Sequence, residues 1–485
     1  MILPFRLKRL ILDLHRKRSQ IETIEDDVLE YGGGKGLNLQ YFKKKGLDED
    51  IVLIATGLFS SSGFPCASFS YMSKLHKTLK YPVTSGFGGG FGLAMRMAGF
   101  HQIVLKGASK TPAILFVDDE EVRFADASSF AEKTALSTDM HIHEKYNDVE
   151  IETLSVGNPP KELLDHAVLF SSGTWPVYRF GFGKDFVERG VKALAIRGGG
   201  GTVIHDKDRY LGFISRLFEK IAANEQLSSS GRGWNLIQTQ EDWQPKFFEA
   251  GREACYGCPV GCARLMPIEG GDFMGRALAE EMLFLSLNMA EKKRDRLLME
   301  AYRMRSECID PFILFTDDRD KVERLHGLGL EEKVSGPGFK GVPFPFDPHV
   351  NTSRSLYYDL TCQDYDYFKF AADMNSPYLN DLRKNDEAQS LKNMIIAKMI
   401  SDMVGVCPLV TSRVSVITTA DIEEGFEILF ERSEQLGKLA RKLIDVEREM
   451  SRFTKDDDLV DPSWDERLSI FYEAIDWDDR GRPGG

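Results

Sequence analysis

The sequence has few cysteines, no excess of positive charge and no long hydrophobic run, and each lack excludes a class of protein. Seven cysteines in 485 residues are too few, and odd in number, for a secreted domain held together by disulfides. The 62 basic residues are outnumbered by 75 acidic ones, a net charge of −13. This balance argues against general nucleic-acid binding, which needs a basic face. No run reaches the roughly 18 apolar residues of a membrane span, so we expect a cytoplasmic globular protein.

The N-terminal residues 1–19 are basic and apolar, and in this they mimic a secretory signal. Their longest apolar run is Leu10–Leu12, which Asp13 interrupts, and no small-residue cleavage site follows. We interpret this segment as an opening strand or a short amphipathic segment.

What the sequence does contain changes in character near residue 207. Before this point glycine is abundant, and short apolar or β-branched runs are bounded by Gly, Pro, Asp or Ser, as strands are. Beyond it, apolar residues recur at helical spacing, for example over residues 211–221 and 297–304. The predicted strands include Ile51–Ala55, Ile103–Leu105, Ala113–Val117, Val168–Phe170 and Ala193–Ile196.

The helical part divides at a loop-like, proline-rich stretch, residues 334–351. Its clearest helical pattern runs from Asp421 to Phe453, opens with an Asp421-x-x-Glu424 capping pattern and is expected to break at Gly437. The sequence therefore predicts an α+β protein of three domains. They are a β-rich N-terminal domain, a helical domain and a helical C-terminal domain, covering residues 1–207, 208–345 and 346–485.

Three cysteines within one short loop carry the clearest chemical signal. Cys255, Cys258 and Cys262 have the spacing C-x2-C-x3-C. Three thiolates this close together converge on one centre only if the backbone curls around it, and Gly257 and Gly261 permit that curl. The pattern predicts a metal centre on this loop.

A four-iron cluster needs a fourth thiolate, and Cys407 is the best candidate because Gly405 and Pro408 mark another tight turn. Zinc fits less well, since zinc ligands come as C-x2-4-C pairs. A zinc site and buried structural cysteines stay open as alternatives to a [4Fe-4S] cluster. The other cysteines show no metal spacing and are interpreted as packing residues: Cys66, Cys308 and Cys362.

Three glycine runs, at residues 32–36, 88–92 and 198–201, match neither the P-loop nor the dinucleotide-binding spacing. Each run alone indicates a tight turn. Together, on a β-rich domain, they suggest backbone that approaches a bulky polar ligand.

Several collinear stretches between about residues 30 and 410 resemble the tungsten-containing aldehyde ferredoxin oxidoreductase family. They follow the glycine segments and the cysteine motifs of that family in order. The matching stretches are YGGGKGLNLQYF (31–42), GGGFGLAMRMAGFHQIVLKG (88–107), GFGKDFVERGVKALAIRG (181–198), CYGCPVGC (255–262) and DMVGVC (402–407).

This resemblance implies a β-rich, pterin-binding type of N-terminal domain followed by two mostly helical domains. It implies a tungsten (or molybdenum) ion held by two pyranopterins, with a [4Fe-4S] cluster nearby. It further implies two-electron oxidation of a small aldehyde, or a related oxo substrate, to a carboxylate. The electrons would pass through the cluster to a ferredoxin-like carrier or a partner redox subunit, in an oligomer, and the cofactor would supply the bond-breaking chemistry.

The resemblance also implies roles for individual residues. Asp402 matches the acid that accepts hydrogen bonds from a pterin ring. Lys35 stands at a loop arginine, Asp310 is the last acid of a first Asp motif, and Glu280 or Glu281 matches the catalytic acid. The cluster ligands of the family fall on Cys255, Cys258, Cys262 and Cys407.

Departures from the family pattern are equally informative. Lys35 keeps the positive charge of the arginine but loses its bidentate geometry. Residues 305–310 keep only the last acid of their motif, and no histidine follows His349, so the family's active-site histidine is absent. Two main hypotheses follow: a tungsten oxidoreductase with altered substrate choice, or a [4Fe-4S] electron-transfer or scaffold subunit that lacks tungsten. A zinc-stabilised binding protein is a third.

Overall fold

The computed structural model describes most of the N-terminal half of the chain and parts of the rest. The sheets, helices and contacts below refer to these residues. The described residues are 7–24, 31–224, 227, 252–267, 274–278, 300, 303–311, 313, 338–339, 342–343, 364–365, 385–413, 415–431, 435–459 and 462–484.

Two large sheets form the N-terminal region. The first has seven strands in the order β18-β5-β4-β3-β6-β1-β2, and the second has six in the order β11-β10-β9-β12-β7-β8. The first sheet contains β1 (Leu7–Asp13), β2 (Arg18–Ile24), β3 (Ile51–Thr56), β4 (Ser70–Leu75), β5 (Pro82–Phe87), β6 (Gln102–Lys106) and β18 (Asp364–Tyr365). The second contains β7 (Ala113–Asp118), β8 (Glu121–Asp126), β9 (Glu152–Ser155), β10 (Leu169–Ser171), β11 (Trp175–Val177) and β12 (Val191–Arg197).

The central strands are the most apolar because both faces of each sheet are covered. Every residue of β3 is buried, and β3 pairs antiparallel with both β4 and β6. A continuous apolar run is the expected pattern for a strand without a solvent face. The five strands predicted from short apolar runs and the predicted opening strand are confirmed.

Helices fill the space around the sheets. α2 contacts β3 of the first sheet as well as β9 and β12 of the second. The helices of the N-terminal region are α1 (Gly34–Lys45), α2 (Phe91–Met97), α3 (Ala135–Tyr146), α4 (Phe182–Glu188) and α5 (Lys207–Ala222).

The C-terminal region is mainly helical and is joined to the first sheet. α6 packs against α1, α8 and α10, while β18 pairs in parallel with Thr84 and Ser85 of β5. The predicted order, a β-rich region followed by helices, is confirmed. The helices here are α6 (Asn385–Val404), α7 (Thr419–Phe430), α8 (Leu436–Ser451), α9 (Lys455–Asp458) and α10 (Asp465–Ala474), with a π-helical turn at Leu409–Arg413.

The helical pattern that begins near Asp421 differs in detail from the prediction. Thr418, not Asp421, is the N-cap, and Asp421 completes a capping box as the third helical residue. The break falls where Glu431 closes α7 in the left-handed conformation, so that Gly437 lies inside α8. The residues at the helix ends, and not Gly437, set these bounds, because a helix tolerates one glycine at a cost of about 1 kcal/mol.

Small strands complete the described secondary structure. Three of them form an antiparallel sheet in the order β13-β14-β15, and two form a hairpin. Among the described helices, none is long and apolar enough to cross a membrane. The small strands are β13 (Arg252–Glu253), β14 (Ala263–Pro267), β15 (Met274–Leu278), β16 (Gly338–Phe339) and β17 (Val342–Pro343).

Candidate metal centre

The cysteine loop connects β13 to β14, and the pairing of these strands brings its two ends together. Glu253 pairs with Ala263 across the strands. Between them Gly257 and Gly261 adopt the left-handed conformation, with φ of 67° and 57°. Glycine adopts this conformation without the penalty that a β-carbon imposes. The loop therefore curls, as its two glycines predicted.

Cys407 reaches the same place because the end of α6 docks on the segment between β3 and β4. The amide of Leu58 donates to the Met403 carbonyl at 3.1 Å, and the amide of Phe69 donates to the Gly405 carbonyl at 3.0 Å. A β-carbon at Gly57 would overlap the backbone of Gly405. Two glycines are thus needed where these two backbones meet.

Cys66 belongs to that docking segment and joins the other cysteines. Its carbonyl accepts from the Cys407 amide at 2.9 Å, and its amide donates to the Gly257 carbonyl at 3.3 Å. Its Sγ lies 3.7 Å from the Sγ of Cys258, 192 residues away along the chain. The structure therefore brings together cysteines from three separate segments of the chain. Sequence spacing could not identify Cys66, because it has no neighbouring cysteine.

These thiols lie close enough to change one another's pKa values. Burial, followed by the charges of Cys258, Cys262 and Cys255, raises the pKa of Cys407 well above its ordinary value. Burial and then Cys258 raise the pKa of Cys255. The hydrogen bond from Cys66 lowers the pKa of Cys258. Several buried thiolates at such close range repel one another unless a cation compensates them.

The donor chemistry fits a four-iron cluster. In such a cluster each iron takes one thiolate, and amide donors to sulfur stabilise the negative charge. Cys258 accepts hydrogen bonds from the amides of Val260 and Gly261, and Cys255 accepts one from the amide of Gly89 at 3.2 Å. Within the described part of the chain, no three His, Cys, Asp or Glu side chains stand close enough to hold a single metal ion.

The second glycine run lies directly against this centre. A β-carbon at Gly88 would lie 2.7 Å from the Sγ of Cys255 and 3.1 Å from Cδ1 of Trp175. At Gly89, with φ of 99°, it would lie 2.5 Å from Oγ of Ser171. This run therefore serves a close approach of backbone to a thiol and to polar side chains.

Glu152 is a buried carboxyl group beside the same turn. It accepts a short hydrogen bond from the Ser172 hydroxyl, and a β-carbon at Gly90 would overlap its carboxylate. Burial raises the pKa of Glu152 to about 7. Sequence analysis missed this residue, because a lone glutamate at the start of a strand carries no motif.

The first glycine run packs against the backbone of α6. A β-carbon at Gly33 would lie 2.6 Å from the Met403 carbonyl oxygen, and one at Gly34 would overlap the Asp402 carbonyl. These two glycines allow close contact between two parts of the protein. The suggestion that the run also approaches a bulky ligand stays a prediction.

Asp402 lies in α6, where it is fully buried and part of a charged network. Lys398, one turn earlier, donates to both carboxylate oxygens at 2.6 and 2.8 Å. The Tyr71 hydroxyl donates to Oδ1 at 2.8 Å. The carboxylate is therefore neutralised and hydrogen-bonded by protein groups.

Lys35 and Asp310 are also buried and engaged. Lys35 forms an ion pair with Glu447 of α8 at 2.7 Å, and both side chains are less than a tenth exposed. Asp310 accepts a hydrogen bond from the amide of Arg179 at 3.3 Å. Nearby, Arg305 donates to the Tyr178 hydroxyl at 3.1 Å. Arg305 stands at the first position of the expected Asp motif, so this position makes a hydrogen bond within the protein and supplies no carboxylate.

The predicted catalytic acids, Glu280 and Glu281, lie outside the described residues. Their role stays a prediction. The predicted packing residue Cys362 also lies outside. Cys308 is buried, and its Sγ accepts from the amide of Gly157 at 3.0 Å, consistent with packing.

Two described positions that the resemblance assigns to the pterin already have protein partners. Lys35 is paired with Glu447, and Asp402 is paired with Lys398. An ionised carboxylate has about four acceptor positions, so a pterin N–H group would bind Asp402 beside Lys398 and Tyr71.

The comparison with known families gives its most direct match in the first two hundred residues. Residues 9–198 match the family model described as aldehyde ferredoxin oxidoreductase, N-terminal domain. The resemblance read from the glycine segments is thereby confirmed for this region.

Curated relatives agree with this match at low identity. The tungsten-containing aldehyde ferredoxin oxidoreductase of Pyrococcus furiosus is 23% identical in an alignment 288 residues long, which covers 51% of this chain and 46% of that protein. The aliphatic sulfonate oxidoreductase, WOR-like subunit, of the same organism is 22% identical in an alignment 316 residues long, which covers 55% of this chain and 50% of that protein. The chain thus spans about half the length of the curated relatives it matches.

A solved structure extends the likeness of fold to the whole chain. The active site complex BamBC of benzoyl-coenzyme A reductase, in complex with 1,5-dienoyl-CoA, superposes with a TM-score of 0.78 at 16% identity. The superposition covers 99% of this chain and 96% of that one. At this identity the match shows the fold alone, and it supports a β-rich region followed by helices.

Proposed function

We propose, from the premise that residues 9–198 form an N-terminal domain of the aldehyde ferredoxin oxidoreductase family, that the chain is an iron–sulfur oxidoreductase component. Its centre would be a [4Fe-4S] cluster ligated by four cysteines. A cluster of this kind supplies one-electron transfer. The ligands we propose are Cys255, Cys258, Cys262 and Cys407.

The observation that carries the proposal is the bridge that Cys66 forms between Cys407 and the cysteine loop. The Cys66 carbonyl accepts from the Cys407 amide at 2.9 Å, and the Cys66 amide donates to the Gly257 carbonyl at 3.3 Å, although more than a hundred residues separate Cys407 from the loop in the sequence. Docking of α6 on the β3–β4 segment holds that contact through backbone hydrogen bonds, such as that of Phe59 with Val404 at 3.0 Å. Two chain regions held at fixed distance are what a four-thiolate site requires.

The protein groups around the thiols would exclude water and tune the charge. Val260, Cys262 and Val406 are buried, and the Gly88–Gly89 turn covers Cys255. Solvent exposure and hydrogen bonds to sulfur are among the factors that set cluster potentials. Cys255, Cys258 and Cys407 themselves are only partly buried, so we infer a cluster close to the protein surface, within reach of an electron-transfer partner.

In its complete form the proposal is oxidation of an aldehyde, or a related oxo substrate, to a carboxylate at a tungsten–pterin centre. The electrons would pass to a ferredoxin-like acceptor in a larger redox complex. The names of the relatives support this form, since they include tungsten-containing aldehyde ferredoxin oxidoreductases and a WOR-like subunit. Glu280 or Glu281 would then be the catalytic acid.

A second form is a [4Fe-4S] electron-transfer or scaffold subunit that lacks tungsten. The buried ion pairs favour it, because Lys35 and Asp402 already have protein partners of opposite charge at 2.7 and 2.6 Å. In this form a partner subunit would carry the chemistry of the substrate.

Elemental analysis of protein purified without oxygen tests both forms at once. We expect about four irons per chain, together with visible absorption that dithionite bleaches. Stoichiometric tungsten or molybdenum supports the enzyme, whereas four irons without either metal support the electron-transfer subunit. Zinc in place of iron would overturn the proposal.

A pair of variants tests the ligand assignment. Cys407→Ser should reduce the iron content and the visible absorption strongly, because it removes the ligand that follows the end of α6. Cys308→Ser is the matched control, since Cys308 is also a buried free thiol but lies away from the cluster. Equal iron in both variants would show that Cys407 is not a ligand.

A further inference from the structure

We propose that Cys66 is a fifth cysteine of the metal centre, which donates its S–H group to the Sγ of Cys258. This inference rests on the proposed function, because it assigns a role toward the cluster. Sequence spacing and the family pattern give Cys66 no role. The 3.7 Å Sγ–Sγ contact with Cys258 does.

The direction of this hydrogen bond follows from the other donors around Cys258. The amides of Val260 and Gly261 already point to the sulfur of Cys258, so this sulfur is an acceptor, as a thiolate ligand would be. Cys66 must then supply the proton in the Sγ–Sγ contact. Four other cysteines complete the ligand count of a four-iron cluster, which leaves the fifth thiol free to act as a donor.

The backbone of Cys66 fixes the thiol in this position. Its amide holds the cysteine loop through Gly257, and its carbonyl holds Cys407. Cys66 has a φ of 61°, a conformation that costs a residue with a β-carbon about 1 kcal/mol and that glycine adopts freely. Strain of this kind persists where surrounding contacts over-determine the geometry. The side chain that bears this cost is the one aimed at Cys258.

A donor at a ligand sulfur stabilises the cluster more when it carries the extra electron. The reduced cluster is more negative by one charge, so that the S–H dipole interacts with it more strongly. Removing the donor should therefore make the midpoint potential of the cluster more negative. Cys66 acts through Cys258 and is a positioning residue, not a ligand.

The test compares the midpoint potential of the full-length chain with that of Cys66→Ala, by anaerobic redox titration followed by absorption and electron paramagnetic resonance. We expect four irons in both proteins and a potential that is more negative in the variant. The shift should correspond to about a tenfold change in the ratio of oxidised to reduced cluster, about 59 mV for one electron. Cys66→Ser, which keeps a hydroxyl donor, should recover part of this shift.

Cys308→Ala is the matched control. Cys308 is also a fully buried cysteine with a φ of 61°, so it reproduces the change in side chain and backbone conformation away from the cluster. Its potential should equal that of the parent protein. The comparison requires that Cys66→Ala and Cys66→Ser both keep the circular-dichroism spectrum of the parent. If only Cys66→Ser keeps it, the midpoint potential of Cys66→Ser is compared with that of Cys308→Ala instead.

The remaining outcomes distinguish the two levels of the proposal. If the parent protein holds four irons and both Cys66 variants have the midpoint potential of the parent, the role of Cys66 is overturned and the proposed function is not. Loss of iron in Cys66→Ala with a native spectrum shows that Cys66 is a ligand, and also overturns the donor role. Parent protein without iron overturns this inference together with the proposed function.

Discussion

Removing Lys398 should destabilise the protein strongly, because Asp402 would lose the cation that donates to both of its carboxylate oxygens. The two side chains are 4% and 1% exposed, and Nζ lies 2.6 Å from Oδ1. The Tyr71 hydroxyl, which also donates to Oδ1 at 2.8 Å, is neutral and does not replace that charge. Lys398→Met keeps a straight side chain of helix-forming type, so it removes mainly the charge.

The magnitude follows from burial. Breaking a buried ion pair by removing one partner costs about 3–5 kcal/mol. The same change at an exposed pair costs about 0–1 kcal/mol. Lys220 and Asp421 supply that comparison, since their atoms also lie 2.6 Å apart but the side chains are 43% and 19% exposed. We expect Lys398→Met to lose at least about 2 kcal/mol more than Lys220→Met.

Guanidinium chloride unfolding followed by circular dichroism measures this difference, provided that the slope of the transition is unchanged. The double variant with Asp402→Asn should recover part of the loss, because it removes the uncompensated charge. Equal midpoints for Lys398→Met and Lys220→Met would refute the reasoning. Asp402 would then not depend on Lys398, and it would stay available for a ligand.

Two further predictions concern the turn that covers the cysteines. Glu152→Gln should change how stability depends on pH. Burial raises the pKa of Glu152 from 4.5 to about 7, so the contribution of this group to stability is full below about pH 4.5 and is lost as the pH rises through 7. The variant should lack this loss and be the more stable protein above pH 7 in thermal unfolding; identical profiles would contradict it. Gly88→Ala should lower the iron content, because its β-carbon would lie 2.7 Å from Sγ of Cys255. Gly212→Ala, a helical position with open space, should keep full iron and gain about 1 kcal/mol of stability.

Local sequence patterns predicted the elements of this fold well, since each depends on its neighbours in the chain. Apolar runs such as Ile51–Ala55 became buried strands, and the helical spacing of residues 211–221 became part of α5. Helix ends were less predictable. The end of α7 depended on a left-handed residue, Glu431, which carries no distinctive sequence signal.

The glycine runs predicted a close approach of the backbone, but they did not predict which group approaches it. Glycine predicts close approach of backbone, and close approach is what the structure has at Gly34 and Gly88. What approaches was not readable from the sequence. At Gly34 it is the backbone of α6, and at Gly88 it is the thiol of Cys255.

The sequence by itself determined the cysteine loop, because C-x2-C-x3-C with two glycines is a local pattern whose curl needs no other part of the chain. It also indicated the family through segments that keep their order. Only the tertiary structure brought Cys66 to Cys258 and Glu447 to Lys35. The first pairing depends on how the cysteine loop meets the β3–β4 segment, and the second on how α8 docks on α1. Docking is a property of packed surfaces, and no spacing along the chain encodes it.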